Sequence, residues 1–302
     1  MSFSLQEIRP LYNFKSNFLD RNGLKYHYLD EGQGDVLVMV HGNPAWSFMY
    51  RDLVRALRTS WRTLVPDHIG CGLSDKPDDS VYEYRLEQRV NDLEALLDQL
   101  GLDRDITLIL HDWGGLIGLS YATRHPSRVA RLVILNTAAF FLPSGKSLHW
   151  SLRWCRDSRL AAFLIRRLNL FARVASHVGC RSHPMPPAVR RAYTGPYDSW
   201  ANRIATLRFV QDIPLNPSDR SYQTLLKTQE KLHLLQDKPW LICWGNRDFI
   251  FDADFLREWR RRFPGAEVRQ FPEAGHYVLE DESEEVISRI RDFLISHPLE
   301  KG

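Results

Sequence analysis

Short apolar runs punctuate both ends of the chain: Val36–Val40, Thr63–Val65, Ile106–Leu110, Leu132–Leu135 and Trp240–Trp244. Continuous runs of this length, rich in β-branched residues and without polar alternation, predict parallel strands covered on both faces. Between them the period changes. Arg89–Gln99 sets Val90, Leu93, Leu96 and Leu97 among charged residues, the spacing of an amphipathic helix. A strand near Glu267–Phe271 and a helix near Ser283–Ile295 complete the pattern. Near the start, Phe18–Asp20 and Lys25–Asp30 flank Arg21-Asn22-Gly23, and Asn-Gly between two such runs predicts a hairpin. The whole is an α/β pattern with a mostly parallel sheet and helices on both faces.

From about Leu142 to Asp237 the alternation stops. This stretch holds no convincing strand, and its Arg, Leu and aromatic residues recur at helical spacing, broken at Pro184, Pro186, Pro187 and Pro214. It is far too long for a structureless loop, so it reads as a helical cap (142–237) inserted between two core segments (1–141 and 238–302). Between residues 143 and 235 stand 15 basic against 5 acidic side chains. In Ser151–His177 arginines interleave with Leu, Trp, Phe and Ile, as on an amphipathic helix. An ordinary solvated cap face explains this; contact with a membrane surface or a partner enzyme is the sharper reading.

Charge and composition narrow the class. A formal charge of +3 with 25% charged residues gives no reason to expect a nucleic-acid partner, and no RNA- or DNA-binding signature is present. The first residues lack the apolar core of a signal peptide, and no apolar run reaches membrane-spanning length. Cys71, Cys155, Cys180 and Cys243 are scattered without metal-ligand spacing. They read as reduced thiols of a cytoplasmic protein that needs neither a metal nor another cofactor.

The chemistry gathers at the predicted strand ends. In Ile109-Leu110-His111-Asp112-Trp113-Gly114-Gly115-Leu116-Ile117-Gly118, an apolar run meets a tight glycine-rich turn and a helix start, the layout of a nucleophile elbow with aspartate where esterases carry serine. Taken alone, Asp112 reads first as an N-cap; Gly114, Gly115 and Gly118 and the adjacent Trp113 favour the elbow. His276, in Gly275-His276-Tyr277 after the last strand, is either a loop histidine or a proton-transfer group. Asp248 follows Trp240–Trp244 through Gly245-Asn246-Arg247, as a turn residue or as the acid that orients His276. Together they stand in the order nucleophile, acid, histidine of α/β-hydrolases. His41-Gly42-Asn43-Pro44 follows the strand Val36–Val40. The backbone N–H groups of Asn43 and Trp113 would form an oxyanion hole. The Asn43 side chain either serves the turn or joins the Trp113 indole N–H, a donor only, as a two-donor cradle for an anionic leaving group.

These motifs, with Pro66-Asp67-His68-Ile69-Gly70-Cys71-Gly72-Leu73-Ser74-Asp75-Lys76-Pro77 and Gly275-His276-Tyr277-Val278-Leu279-Glu280, resemble those of the haloalkane dehalogenases over nearly the whole chain. The resemblance implies an α/β-hydrolase fold with an inserted cap. It implies Asp112 as nucleophile, His276 as base, Asp248 as acid, and Asn43 with Trp113 as the leaving-group site. A family variant carries its acid after the preceding strand, where this chain has Asn136, so Asp248 is the acid expected here. The cap segments Pro186–Tyr193, Gly195–Ile204 and Arg208–Leu215 resemble the dehalogenase-like β-lactone decarboxylases of bacterial long-chain olefin synthesis. That resemblance implies a hydrophobic substrate, a cis-3-alkyl-4-alkyl-oxetan-2-one, converted to a cis-alkene and CO₂, and it brings assembly with other olefin-biosynthesis enzymes into view. Attack by Asp112 at the ring carbon bearing oxygen and attack at the carbonyl both remain open at this stage, as does the role of His276. Haloalkane hydrolysis is the alternative activity. An epoxide hydrolase, with Tyr193 and Tyr197 as ring-opening donors, a serine esterase and a non-catalytic binding protein fit less well.

Overall fold

The computed structural model describes residues 3–299, leaving the outermost residues of both core segments, 1–2 and 300–302, outside the described part. Eight strands form one sheet: β1 (Asn17–Arg21), β2 (Leu24–Glu31), β3 (Val36–Val40), β4 (Arg62–Pro66), β5 (Ile106–Asp112), β6 (Val129–Thr137), β7 (Trp240–Gly245) and β8 (Glu267–Phe271). Their spatial order is β1-β2-β4-β3-β5-β6-β7-β8. β1–β2 and β2–β4 pair antiparallel, and β4 through β8 run parallel. The predicted hairpin is present, with Asn22 and Gly23 both at positive φ.

The unbroken apolar runs have a simple cause. Alternate residues of one strand enter two separate cores, and both exclude water. Val38, Leu108, Leu110, Leu132 and Ile242 face one core, while Leu37, Met39, Ile109, Val133 and Leu241 face the other. The helices of the first half are α1 (Leu5–Ile8), α2 (Arg51–Leu57), α3 (Leu86–Gln99) and α4 (Trp113–Arg124). The cap contributes α5 (Trp150–Asp157), α6 (Arg159–Leu168), α7 (Leu170–Val178), α8 (Pro187–Thr194), α9 (Ile204–Gln211) and α10 (Tyr222–Lys231); α11 (Ala253–Arg262), α12 (Val278–Asp281) and α13 (Ser283–Ser296) follow. Leu93, Leu119 and Trp259 place α3, α4 and α11 on the first core, whereas Leu53 and Ile290 place α2 and α13 on the second.

No strand occurs between β6 and β7 among the described residues. The stretch expected as one amphipathic helix, Ser151–His177, is three. Ser158 leaves the helical conformation and its side chain accepts the Ala161 N–H, capping α6. Asn169 adopts the left-handed conformation at φ 55°. Both residue types favour such breaks, because a short polar side chain competes for backbone partners. The cap is tied to the core by polar contacts. The Trp46 indole donates to the Ala192 carbonyl at 3.0 Å and the Tyr197 hydroxyl to that of Ala45 at 3.1 Å. The Asp281 carboxylate accepts the Arg181 and Ser182 N–H groups.

Candidate active site

β5 continues two residues past its apolar run and ends on Asp112, which sits at φ 51°, ψ −126° between strand and α4. A side chain held at such an angle costs about 1–3 kcal/mol, and the surroundings must enforce it. They do so by close approach. A Cβ on Gly114 would lie 1.9 Å from the Val40 carbonyl oxygen, and one on Gly42 would lie 2.0 Å from the Asp112 carboxylate. Only glycine fits on either side of this turn.

Asp112 Oδ1 accepts the Asn43 backbone N–H at 2.7 Å. The expected oxyanion hole therefore already holds an oxygen of Asp112 itself. Oδ2 faces His276 Nε2 across 3.9 Å, too far for a hydrogen bond. On the other side of the ring, His276 Nδ1 donates to Asp248 Oδ2 at 2.8 Å. Asp248 is in turn fixed by the Ile250 N–H at 2.8 Å on Oδ1 and by the Asn136 amide at 3.1 Å on Oδ2. The structure thus brings Asp112, His276 and Asp248 together at the carboxyl ends of β5, β8 and β7, where parallel sheets place their sites.

Burial raises the pKa of Asp112, opposed by the His276 charge and by the Trp113 and Asn43 N–H groups. For His276, burial alone pushes the pKa down, but the charge and hydrogen bond of Asp248 and the charge of Asp112 outweigh it, and the net shift is upward. His111 contacts the His276 ring, centroids 4.6 Å apart, and its Nε2 donates to the His276 carbonyl at 2.8 Å. Burial and the neighbouring His276 push the pKa of His111 well below the usual imidazole value, so it holds the loop as a neutral donor.

Asn43 and Trp113 border the same cavity as Asp112. One amide hydrogen of Asn43 is committed to the Thr206 carbonyl in the cap, at 3.1 Å. The Trp113 indole N–H has no protein acceptor among the described residues, and the ring leans on Phe209, centroids 5.3 Å apart. The cavity measures about 210 Å³. Core residues Leu116, Phe140 and Leu225 wall one part, and cap residues Leu152, Phe171, Val210 and Ile213 another. Lys146, Ser147, His149 and Asp252 supply most of its remaining polar groups. Such a lining suits an alkyl-bearing ligand with one polar centre. Tyr193 and Tyr197 are not on it; their hydroxyls bind Glu280 and the Ala45 carbonyl, which removes the ring-opening donors an epoxide hydrolase needs. Among the described residues no group of His, Cys, Asp and Glu is arranged to hold a metal ion.

Two contributors escaped the sequence. Asn136 grips both the Gly245 carbonyl (3.0 Å) and its N–H (2.8 Å) as well as Asp248, locking the ends of β6 and β7 together. Its place at the end of a core strand is the one signal the sequence carries for this role. Phe251 lies nearly parallel to the His276 ring at 5.9 Å, and nothing local in its sequence announces that.

The family model for the alpha/beta hydrolase fold matches residues 35–283. A cis-3-alkyl-4-alkyloxetan-2-one decarboxylase from Shewanella oneidensis is 55% identical over 284 residues, spanning 94% of this chain and 89% of the relative. One from Xanthomonas campestris pv. campestris is 49% identical, spanning 96% and 99%. Among solved structures, the haloalkane dehalogenase DatA from Agrobacterium tumefaciens C58 superposes with a TM-score of 0.83 at 25% identity, over 94% of this chain and 97% of that one.

Proposed function

The chain belongs to the α/β-hydrolase family and, within it, to the cis-3-alkyl-4-alkyloxetan-2-one decarboxylases, and we propose that it converts long-chain cis-3-alkyl-4-alkyl β-lactones to cis-alkenes and CO₂. Asp112 attacks the ring carbon that bears the ring oxygen. The C–O bond of the lactone breaks with inversion, and a carboxylate leaves toward the Trp113 indole and the Asn43 amide. That carboxylate then departs as CO₂. Its electron pair becomes the second bond of the alkene, while the bond to Asp112 breaks and returns the free aspartate. Inversion followed by anti elimination keeps the alkyl groups cis. His276, held by Asp248, balances the charge of Asp112. Atoms balance without water.

The observation that carries this route is the Asn43 N–H on Asp112 Oδ1 at 2.7 Å. Addition at the lactone carbonyl needs those backbone donors for the new oxyanion, and here the nucleophile occupies them. Displacement at a saturated carbon needs only donors for the leaving group, which the indole supplies. The test is incubation with a cis-dialkyl β-lactone and, separately, with a bromoalkane. The expected result is cis-alkene from the first and no bromide from the second.

Haloalkane hydrolysis remains the second reading, because His276 Nε2 stands 3.9 Å from Asp112 Oδ2 and is thus poised over any ester formed there. Bromide release without alkene formation would establish it. The reading places the protein in the cytoplasm, assembled with the enzymes that make its water-insoluble lactone; co-purification of a lactone-forming activity tests that assembly.

A further inference from the structure

The apolar lining of the cavity has an unexpected counterpart on the outside of the cap. Of twelve large hydrophobic side chains exposed among the described residues, six lie on α5–α7: Trp150, Trp154, Leu160, Phe163, Leu168 and Val174. Scattered single exposures are ordinary, whereas a concentration of them marks a contact surface. Trp150 is 75% exposed and Phe163 52%, so at least half of each stays open to solvent. The spacing is also regular. Trp150 and Trp154 stand one turn apart on α5, and Leu160, Phe163 and Arg167 share the outward face of α6. The inward positions Leu152 and Phe171 line the cavity, while Ala161 and Ile165 are buried. All three helices pack on α9, and α7 packs on α8 as well, while the six side chains named above stay exposed.

Arginines are interleaved with this apolar set. Arg153, Arg159, Arg167 and Arg173 are exposed on the same three helices, and Asp157 is the one acidic residue between positions 150 and 178. Arg166 lies over the Trp200 ring at 4.7 Å, and Phe163 leans on the same indole at 6.0 Å, extending the patch. Tryptophan beside arginine is the composition of the headgroup layer, where an indole sits half in hydrocarbon and a guanidinium meets phosphate. The patch also adjoins the cavity. Ser147, Leu148, His149 and Leu152 line the cavity, and the same stretch of chain carries Trp150, whose ring is 5.7 Å from that of His149.

We propose that the outward face of α5–α7 docks on an anionic phospholipid surface and holds the mouth of the cavity against the bilayer from which the apolar substrate enters. The proposal rests on the lactone reading only for the substrate's identity; the docking itself is read without any substrate. The probe is the intact protein mixed with vesicles of phosphatidylcholine alone or with about a third phosphatidylglycerol. Co-sedimentation and a blue shift of tryptophan emission are expected with the anionic vesicles, weakening as salt is raised. Trp150→Ala with Phe163→Ala should reduce binding by at least about tenfold, since each removes a large apolar side chain from the interface. Arg159→Ala with Arg167→Ala should cost about fivefold per arginine. Unchanged far-UV circular dichroism and unchanged turnover of a short-chain, water-soluble lactone show that these variants are folded, because none of the four residues borders the cavity. Equal or absent binding to both vesicle types overturns the proposal. So does a shift from dimer to monomer in the patch variants without vesicles, which assigns the face to a second copy of the chain.

Discussion

The carboxyl edge of the sheet and the cap above it meet at one cavity but are built on opposite rules. At the sheet edge three side chains are each held by a short hydrogen bond or a forced backbone angle: Asp112 by the Asn43 N–H and its φ of 51°, His276 by Asp248, and Asp248 by Asn136 and Ile250. The cap meets the cavity mainly with Leu152, Phe171, Val210 and Ile213, which make no directional bonds. A rigid constellation fixes which bond forms, and a deformable apolar wall fixes which molecule is presented to it. On the proposed route the same edge would open either a haloalkane or a β-lactone, and the cavity and the fate of the first intermediate would separate the two.

That contrast breaks if sheet-edge variants behave like cap variants. The largest effect is expected for Asp112→Asn, which leaves the fold intact and lowers lactone turnover by about 10⁴-fold or more, as loss of a covalent nucleophile does; steady-state alkene formation measures it. Next comes Trp113→Phe, which keeps the ring's packing on Phe209 but removes the free N–H. A loss of about 10²–10³-fold in kcat with little change in KM is expected for a donor used mainly in the transition state.

The pH profile sharpens the comparison further. Because the pKa of Asp112 is raised, turnover should fail on acidification at a pH above the ordinary carboxylate range, where the nucleophile takes up a proton. Because that of His276 is also raised, the charge that balances Asp112 is lost only above the usual imidazole range, and the lactone rate should decline there. A rate that instead rises with pH as His276 loses its proton is the signature of a hydrolytic base and contradicts the water-free route. The smallest effects belong to the cap. Phe171→Ala should shift the preferred alkyl length, changing the ratio of kcat/KM between long and short lactones by about tenfold, with kcat on the better substrate nearly unchanged.

The same contrast governs how much was legible in the sequence. The strands were readable because both faces of the sheet are buried, so Val36–Val40 and Trp240–Trp244 could be nothing but apolar. The end of β5 was not, because His111 and Asp112 are polar and yet buried in the strand; His111 satisfies its Nε2 on the His276 carbonyl, a partner 165 residues away. Helical periodicity in the cap announced helices but not their number, since the breaks rest on the single residues Ser158 and Asn169. For Asn43 the sequence left open turn, backbone donor and side-chain donor. The fold uses its N–H on Asp112 and half its amide on Thr206, and Thr206 lies in a segment whose approach no local pattern encodes.

The covalent bond to Asp112 is the claim on which the rest depends, and rapid-quench mass spectrometry of the protein mixed with a cis-dialkyl β-lactone tests it most directly. The account predicts a transient species heavier by the whole lactone, mapped to the peptide that carries Asp112, and no such species in Asp112→Asn. Full alkene formation by Asp112→Asn, with no adduct on either protein, would contradict it.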